Sequence, residues 1–112
     1  MAHDPELAQR LRALLAGHDD LTEKRMFGGH AFLLGGRMAI CAGSRGGLMV
    51  RVDPARAEAL LERPGAEPTI MRGRPMRGWL DVEGELDDDA LQGWVDEGVG
   101  YVRSLPPKQD AR

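Results

Sequence analysis

KRMFGGHAFLLGGRMAICAGSRGGLMVRV, residues 24–52, is the stretch whose reading decides the fold. Two apolar runs within it are split by Gly35 and Gly36 alone. A Gly-Gly pair supplies the positive φ angles that a two-residue hairpin turn of the primed types requires. A third run, Leu48 to Val52, follows the small-residue linker Gly43-Ser44-Arg45-Gly46. The expectation is a tight antiparallel meander with strands at 30–34, 37–42 and 47–52. Residues 22–27 serve as a lead-in or an additional strand.

The turn sets a register. With Leu34 opposite Arg37, an uninterrupted ladder places Leu33 opposite Met38, Phe32 opposite Ala39, Ala31 opposite Ile40 and His30 opposite Cys41. The second turn then brings Leu48 opposite Cys41 and Val50 opposite Ala39. One face carries Phe32, Leu34, Ala39, Cys41, Leu48, Val50 and Val52; the other carries Ala31, Leu33, Met38, Ile40, Met49 and Arg51. A sheet with one wet face alternates apolar with polar residues, and this one is apolar on both sides. The second face therefore calls for a cover, either the chain's own helices or a partner. A second copy is the simplest partner, since a two-fold interface needs one self-complementary patch. Leu33, Met38, Ile40 and Met49 are the expected contact, Met being able to repack against different surfaces.

On the N-terminal side, Asp4 suits an N-cap and Pro5 the first helical position. Leu7, Leu11, Leu14 and Leu15 make one buried stripe, and Gly17 ends the helix. On the C-terminal side, Asp53-Pro54 repeats the start signal for a helix running to about Arg63, with Ala57, Leu60 and Leu61 inward. Two short strands, at 69–71 and 78–82, flank an arginine-rich bend. Pro75 cannot donate to a ladder and belongs at an edge, a bulge or in the connection. A last helix begins near Asp87, its first-turn acids matching the dipole. Leu91, Trp94, Val95, Gly98, Val102 and Leu105 form its stripe, Gly93 and Gly100 face outward, and Pro106-Pro107 closes it. The organisation is one domain over 1–105 with a flexible polar tail at 106–112. Its fold class is α+β: a two-layer arrangement of helices on an antiparallel meander sheet.

The whole chain has 112 residues and a formal charge of −3, unevenly placed. Ten Lys/Arg stand against five Asp/Glu over residues 22–80, and three against nine from residue 81 on. That is a weakly basic middle and an acidic end, not the concentrated cationic face a nucleic-acid binder needs. No apolar run approaches the roughly 20 residues of a membrane span. The N-terminus carries no secretory pattern. One cysteine excludes an internal disulfide and favours a reducing compartment, so a cytoplasmic location is expected.

Four groupings bear on chemistry. His30 opposite Cys41 could activate a thiol, but no third group orients the imidazole, and a free Cys usually packs as a small hydrophobe. Cys41 is accordingly read as structural and no residue as catalytic. His3, His18 and His30 have no metal-ligand spacing, and no cofactor is indicated. Met26-Phe27-Gly28-Gly29 lacks the helix and Lys-Ser/Thr of a phosphate loop, and reads as a bend into the meander. Arg72-Gly73-Arg74-Pro75 has three readings: a rigid bend whose arginines pair with carboxylates, a site for an anion or acidic partner, or a minor-groove hook. Arg25, Arg72, Arg74 and Arg77 are the candidate binding residues.

Taken together, KRMFGG at 24–29, the Gly-turn hairpin, a strand ending in Val52-Asp53 and GRPM at 73–76 before Val82 and an acid-capped helix resemble the N-terminal domain of the TfoX/Sxy family. The resemblance covers roughly residues 5–104. It implies an α-β(3)-α-β(2)-α, secretion-chaperone-like domain and kinship with regulators of natural competence, in stand-alone form. It supplies no catalytic residues. The chain departs from the family pattern after Met76, where Arg77 precedes Gly78-Trp79-Leu80. The functional expectation is a non-catalytic protein-interaction or regulatory module. A nucleic-acid-associated regulator using Arg72, Arg74 and Arg77 ranks second, and an enzyme using His30 and Cys41 third.

Overall fold

A computed structural model describes residues 5–26, 29–43, 47–83 and 86–105. Gly35 and Gly36 adopt φ of 58° and 86°, the primed turn expected from the Gly-Gly pair. Around it lie strands β1 (Leu21–Met26), β2 (Gly29–Leu34), β3 (Arg37–Ala42) and β4 (Leu48–Arg51). The lead-in segment is thus a full strand. Two further strands, β5 (Ala66–Met71) and β6 (Arg74–Val82), complete a six-stranded antiparallel sheet in the order β1-β2-β3-β4-β6-β5. The bend between the last two shrinks to Arg72 and Gly73. Met26 pairs with Gly29, and the intervening Phe27 and Gly28 lie outside the described residues, as do Asp4, Ser44–Gly46 and 106–112.

Helices α1 (Pro5–Leu14), α2 (Ala57–Leu60) and α3 (Asp88–Ser104) pack on one face. The caps follow the sequence: Asp53 accepts from the Ala55 amide at 2.9 Å and Asp87 from the Ala90 amide at 2.8 Å. The second helix is shorter than its apolar pattern suggested. A 3-10 turn over Pro54–Arg56 precedes it, and only Leu60 is fully buried. Leu7 and Leu11 of α1, Leu15 just after it, and Leu91, Trp94 and Val95 of α3 close over Phe32, Ile40, Val50, Val52, Leu80 and Val82. Of the expected stripes, Leu7, Leu11, Leu15, Leu91, Trp94, Val95, Gly98 and Val102 are buried, whereas Leu14 and Leu105 are half-buried, and Leu15 and Leu105 fall just past the helix ends.

The meander register departs from the uninterrupted ladder at one point. Leu33 pairs with Met38, but Phe32 pairs with Ile40, leaving Ala39 as the extra residue of a β-bulge. From there every β3 side chain changes face. Ile40 enters the helix-covered core, Cys41 leaves it, and His30 stands opposite Ala42 instead of Cys41. The bulge lets both residues be buried on the helix side, Ala39 with Leu34 and Val102 and Ile40 with Phe32 and Val50, and full burial of the Ile side chain contributes about 1.5–3 kcal/mol. The bulge also brings the Ala39 carbonyl against α3 at Gly98, where a Cβ would sit 2.7 Å from it.

Ion pairs pin the helices to the sheet. Arg12 of α1 donates two bonds, 2.7 and 2.9 Å, to Glu23 of β1, whose carboxylate also meets His30. Arg103 of α3 forks onto Asp20, both bonds 2.7 Å. Through these arginine bonds Glu23 and Asp20 are each held down at about 2, against burial, which pushes the other way. Carboxyls depressed in the folded state stabilise it above their unfolded pKa and lose that contribution as pH falls through the folded one. The melting temperature should therefore decline from about pH 4.5 towards pH 2. Glu23→Gln should lower it at neutral pH and flatten that acid limb. A limb unchanged in this variant would show that Glu23 does not contribute. Both sites are solvent-accessible, so added salt should shrink the effect.

Candidate functional site

The β5–β6 hairpin carries the arginines singled out in the sequence. Its two-residue turn has φ of 53° at Arg72 and 79° at Gly73. Gly73 is unstrained there, but Arg72 is the one non-glycine among the described residues with positive φ, in a region that disfavours a β-carbon. Arg72, Arg74 and Arg77 are exposed. Among the described residues none of them forms an ion pair, whereas Arg10, Arg12, Arg56, Arg63 and Arg103 all do. Among the described residues, therefore, the arginines of the bend pair with no neighbouring carboxylate. Ile70, 55% exposed, pairs with Pro75 just before the turn. The register shifts between Pro68 and Ile70, so Pro75 falls in an irregular part of an edge hairpin, where a missing donor is tolerated.

Arg25 is not brought to this tip. It shares a row of pairings with His30, Ala42, Leu48, Val82 and Ala66. That row crosses β5 and β6 at the ends farthest from Arg72. Arg25 and the turn therefore occupy opposite corners of the sheet.

The face away from the helices holds a separate cluster of Ala31, Leu33 and Cys41, with Met38 and Met49 partly buried beside it. Of the four residues expected there, Leu33, Met38 and Met49 are present. Ile40 is not, because the bulge turns it into the core. Cys41 takes its place, buried, its thiol pushed up to about 11 by that burial. With His30 turned to the other side and engaged by Glu23, the two do not form the pair considered for thiol activation. Among the described residues no group of three or more His, Cys, Asp or Glu could hold a metal. Nor, among the described residues, is any helix long and apolar enough to cross a membrane.

A shallow cleft of about 270 Å³ lies between the Asp53 turn and the end of α3. Gly100, outward-facing as expected, opens onto it, while Gly93 lies near Arg63. Of the charges lining the cleft, Arg56 is engaged by Glu97, while Asp53 caps its turn and Asp96 accepts from Gln92. Glu97 takes two bonds from Arg56 and one from Arg63, whose guanidinium stacks 4.9 Å from the Trp94 ring. Arg51 likewise lies against the rings of Trp79 and Tyr101. These arginines tie structure together, whereas the three arginines of the hairpin, like exposed Lys24 and Arg25 at the far corner of the sheet, form no ion pair among the described residues. The register also aligns Lys24, Asp81 and Glu67 across the helix-free face, which local sequence could not show because the pairings that join them are non-local.

Fold and site together define a two-layer α+β domain that displays its distinctive side chains on a sheet face and at a hairpin tip. Comparison with known families then gives a match to the TfoX N-terminal domain over residues 13–101, and the chain belongs to that family. No curated protein and no solved structure matches it.

Proposed function

We propose that this domain is a non-catalytic, cytoplasmic regulatory module that captures an acidic protein partner through the β5–β6 hairpin, with Arg72, Arg74 and Arg77 as the contacts. Membership of the TfoX N-terminal domain family supports a role akin to that of competence regulators. The observation that carries the reading is Arg72 itself. A left-handed residue with a β-carbon costs about 1–2 kcal/mol, and Asn or Gly would fill the same turn position without that cost. Strain of this kind is retained where the side chain is used. Two further arginines without ion-pair partners follow it on β6, and guanidinium groups suit charge-assisted bonds to carboxylates. An acidic protein is favoured over nucleic acid. Three arginines at one tip, on a chain whose last third is strongly acidic, make few phosphate contacts.

Arg72→Asn separates use from structure. It should raise stability by up to about 1 kcal/mol through relief of the turn and yet weaken capture of the partner from native lysate. The Arg72, Arg74, Arg77 triple Ser variant should abolish capture with little change in melting temperature, since exposed substitutions move stability by about 0.5 kcal/mol or less. Capture that survives the triple change would remove the hairpin from the site. Binding to duplex DNA that falls steeply with salt would replace the acidic partner with nucleic acid.

A further inference from the structure

The centre of the helix-free face, Ala31, Leu33 and Cys41, is already buried within the chain. What the sheet leaves open is backbone, at its two outermost strands, β1 and β5. On β5 the Glu83 amide donates to the Gly65 carbonyl at 3.0 Å, so the register turns the Glu67 backbone towards β6 and those of Ala66 and Pro68 outward. Pro68 has no N–H, and that of Ala66 is taken by the Arg63 carbonyl at 3.2 Å. This half of β5 has no outward donor, which closes a sheet edge to further strands. On β1 the Gly35 amide donates to the Asp20 carbonyl at 3.2 Å. Alternation then turns the backbones of Thr22 and Lys24 towards β2 and those of Glu23 and Arg25 outward. Among the described residues no hydrogen bond reaches the outward N–H and C=O groups of Glu23 and Arg25. The strand carries neither a proline nor a shift of register.

From this contrast we infer that the β1 edge takes an extended acidic segment of a partner protein as an added strand. The side chains select the charge. Glu23 is already engaged by two bonds from Arg12 and by His30. Lys24 and Arg25 are exposed, and neither forms an ion pair among the described residues. As neighbours in a strand they point to opposite faces. An opposing extended chain therefore meets them with two adjacent residues of its own, one on each face. Two consecutive Asp or Glu residues are the feature recognised, while the outward groups of Glu23 and Arg25 supply the ladder. The same edge disfavours a second copy of β1. The symmetric registers of greatest overlap set Lys24 against Lys24 or Glu23 against Glu23, which like charges oppose. This edge and the Arg72 turn occupy opposite corners of the sheet, and each can be lost without the other.

The probe is the fluorescein-labelled peptide Val-Thr-Val-Glu-Glu-Thr-Val-Thr, with Lys-Lys in place of Glu-Glu as the control. Binding is followed by fluorescence anisotropy and by amide hydrogen exchange in NMR spectra of the isotope-labelled protein. The acidic peptide should bind saturably and slow exchange at the Glu23 and Arg25 amides by about tenfold. The Lys peptide should bind about tenfold more weakly or not at all. Arg25→Ser should weaken binding of the acidic peptide by about fivefold through charge alone. Arg25→Pro also removes the outward donor while sparing the β2 ladder, and should weaken it by about a further tenfold. The Arg72, Arg74, Arg77 triple Ser variant should bind the peptide as the wild type does. Absence of saturable binding overturns the proposal, as does binding that leaves the two amides unchanged, a Lys peptide that binds equally well, or an Arg25→Pro protein that matches Arg25→Ser. Loss of binding in the triple variant would place the peptide on the hairpin instead. Exchange at the same amides that slows as the protein alone is concentrated would give the edge to a second copy. If circular dichroism shows Arg25→Pro unfolded, the exchange measurement on the wild type decides.

Discussion

Ile40→Asp is expected to abolish cooperative unfolding altogether, because its side chain sits with no exposure in the helix-covered core. Truncating a buried Ile costs about 2–5 kcal/mol, and an unpaired buried carboxylate adds several more. The sum reaches the whole stability of a small domain, about 5–15 kcal/mol. Met49→Asp is the comparison. Met49 is half-buried on the opposite face, and that variant should fold and melt cooperatively at a lower temperature. In an uninterrupted meander Ile40 and Met49 share one face, and the two changes would act alike. Thermal melts followed by circular dichroism decide between these registers. A folded Ile40→Asp protein would mean that the bulge at Ala39 is absent.

Gly98→Val should cost about 2–4 kcal/mol, chiefly by overpacking. A β-carbon at this position meets the Ala39 carbonyl oxygen at 2.7 Å and Val50 Cγ1 at 3.5 Å. The first contact is with backbone, which cannot swing aside as a side chain can, so α3 must lift from β3. The helix-propensity gain from replacing Gly, somewhat under 1 kcal/mol for Val, does not offset this. Gly100→Ala, two residues on in the same helix, meets nothing within 4 Å. It should stabilise by about 0.5–1 kcal/mol, so the two substitutions have opposite signs. Urea titrations of both variants measure the difference. A neutral Gly98→Val would show that the helix-to-strand approach is looser than described.

Local chemistry explains why so much of this fold was legible in the chain. The Gly35-Gly36 turn, the Asp53 and Asp87 caps, and the leucine and tryptophan stripes of α1 and α3 depend on residues within a few positions of one another. Arg72, Arg74 and Arg77 stood out for the same reason. What local sequence could not determine is which side of the sheet each β3 residue faces. That depends on the bulge at Ala39, where β3 meets Gly98 of a helix far along the chain and which lets Ile40 join Ala39 on the helix-covered side. The same bulge separated His30 from Cys41 and exchanged Ile40 for Cys41 on the helix-free face. The insertion of β6 between β4 and β5, and with it the row from Lys24 to Glu67, likewise rests on pairings between distant segments. Periodicity gives each strand two faces; only packing against the helices decides which face is inside.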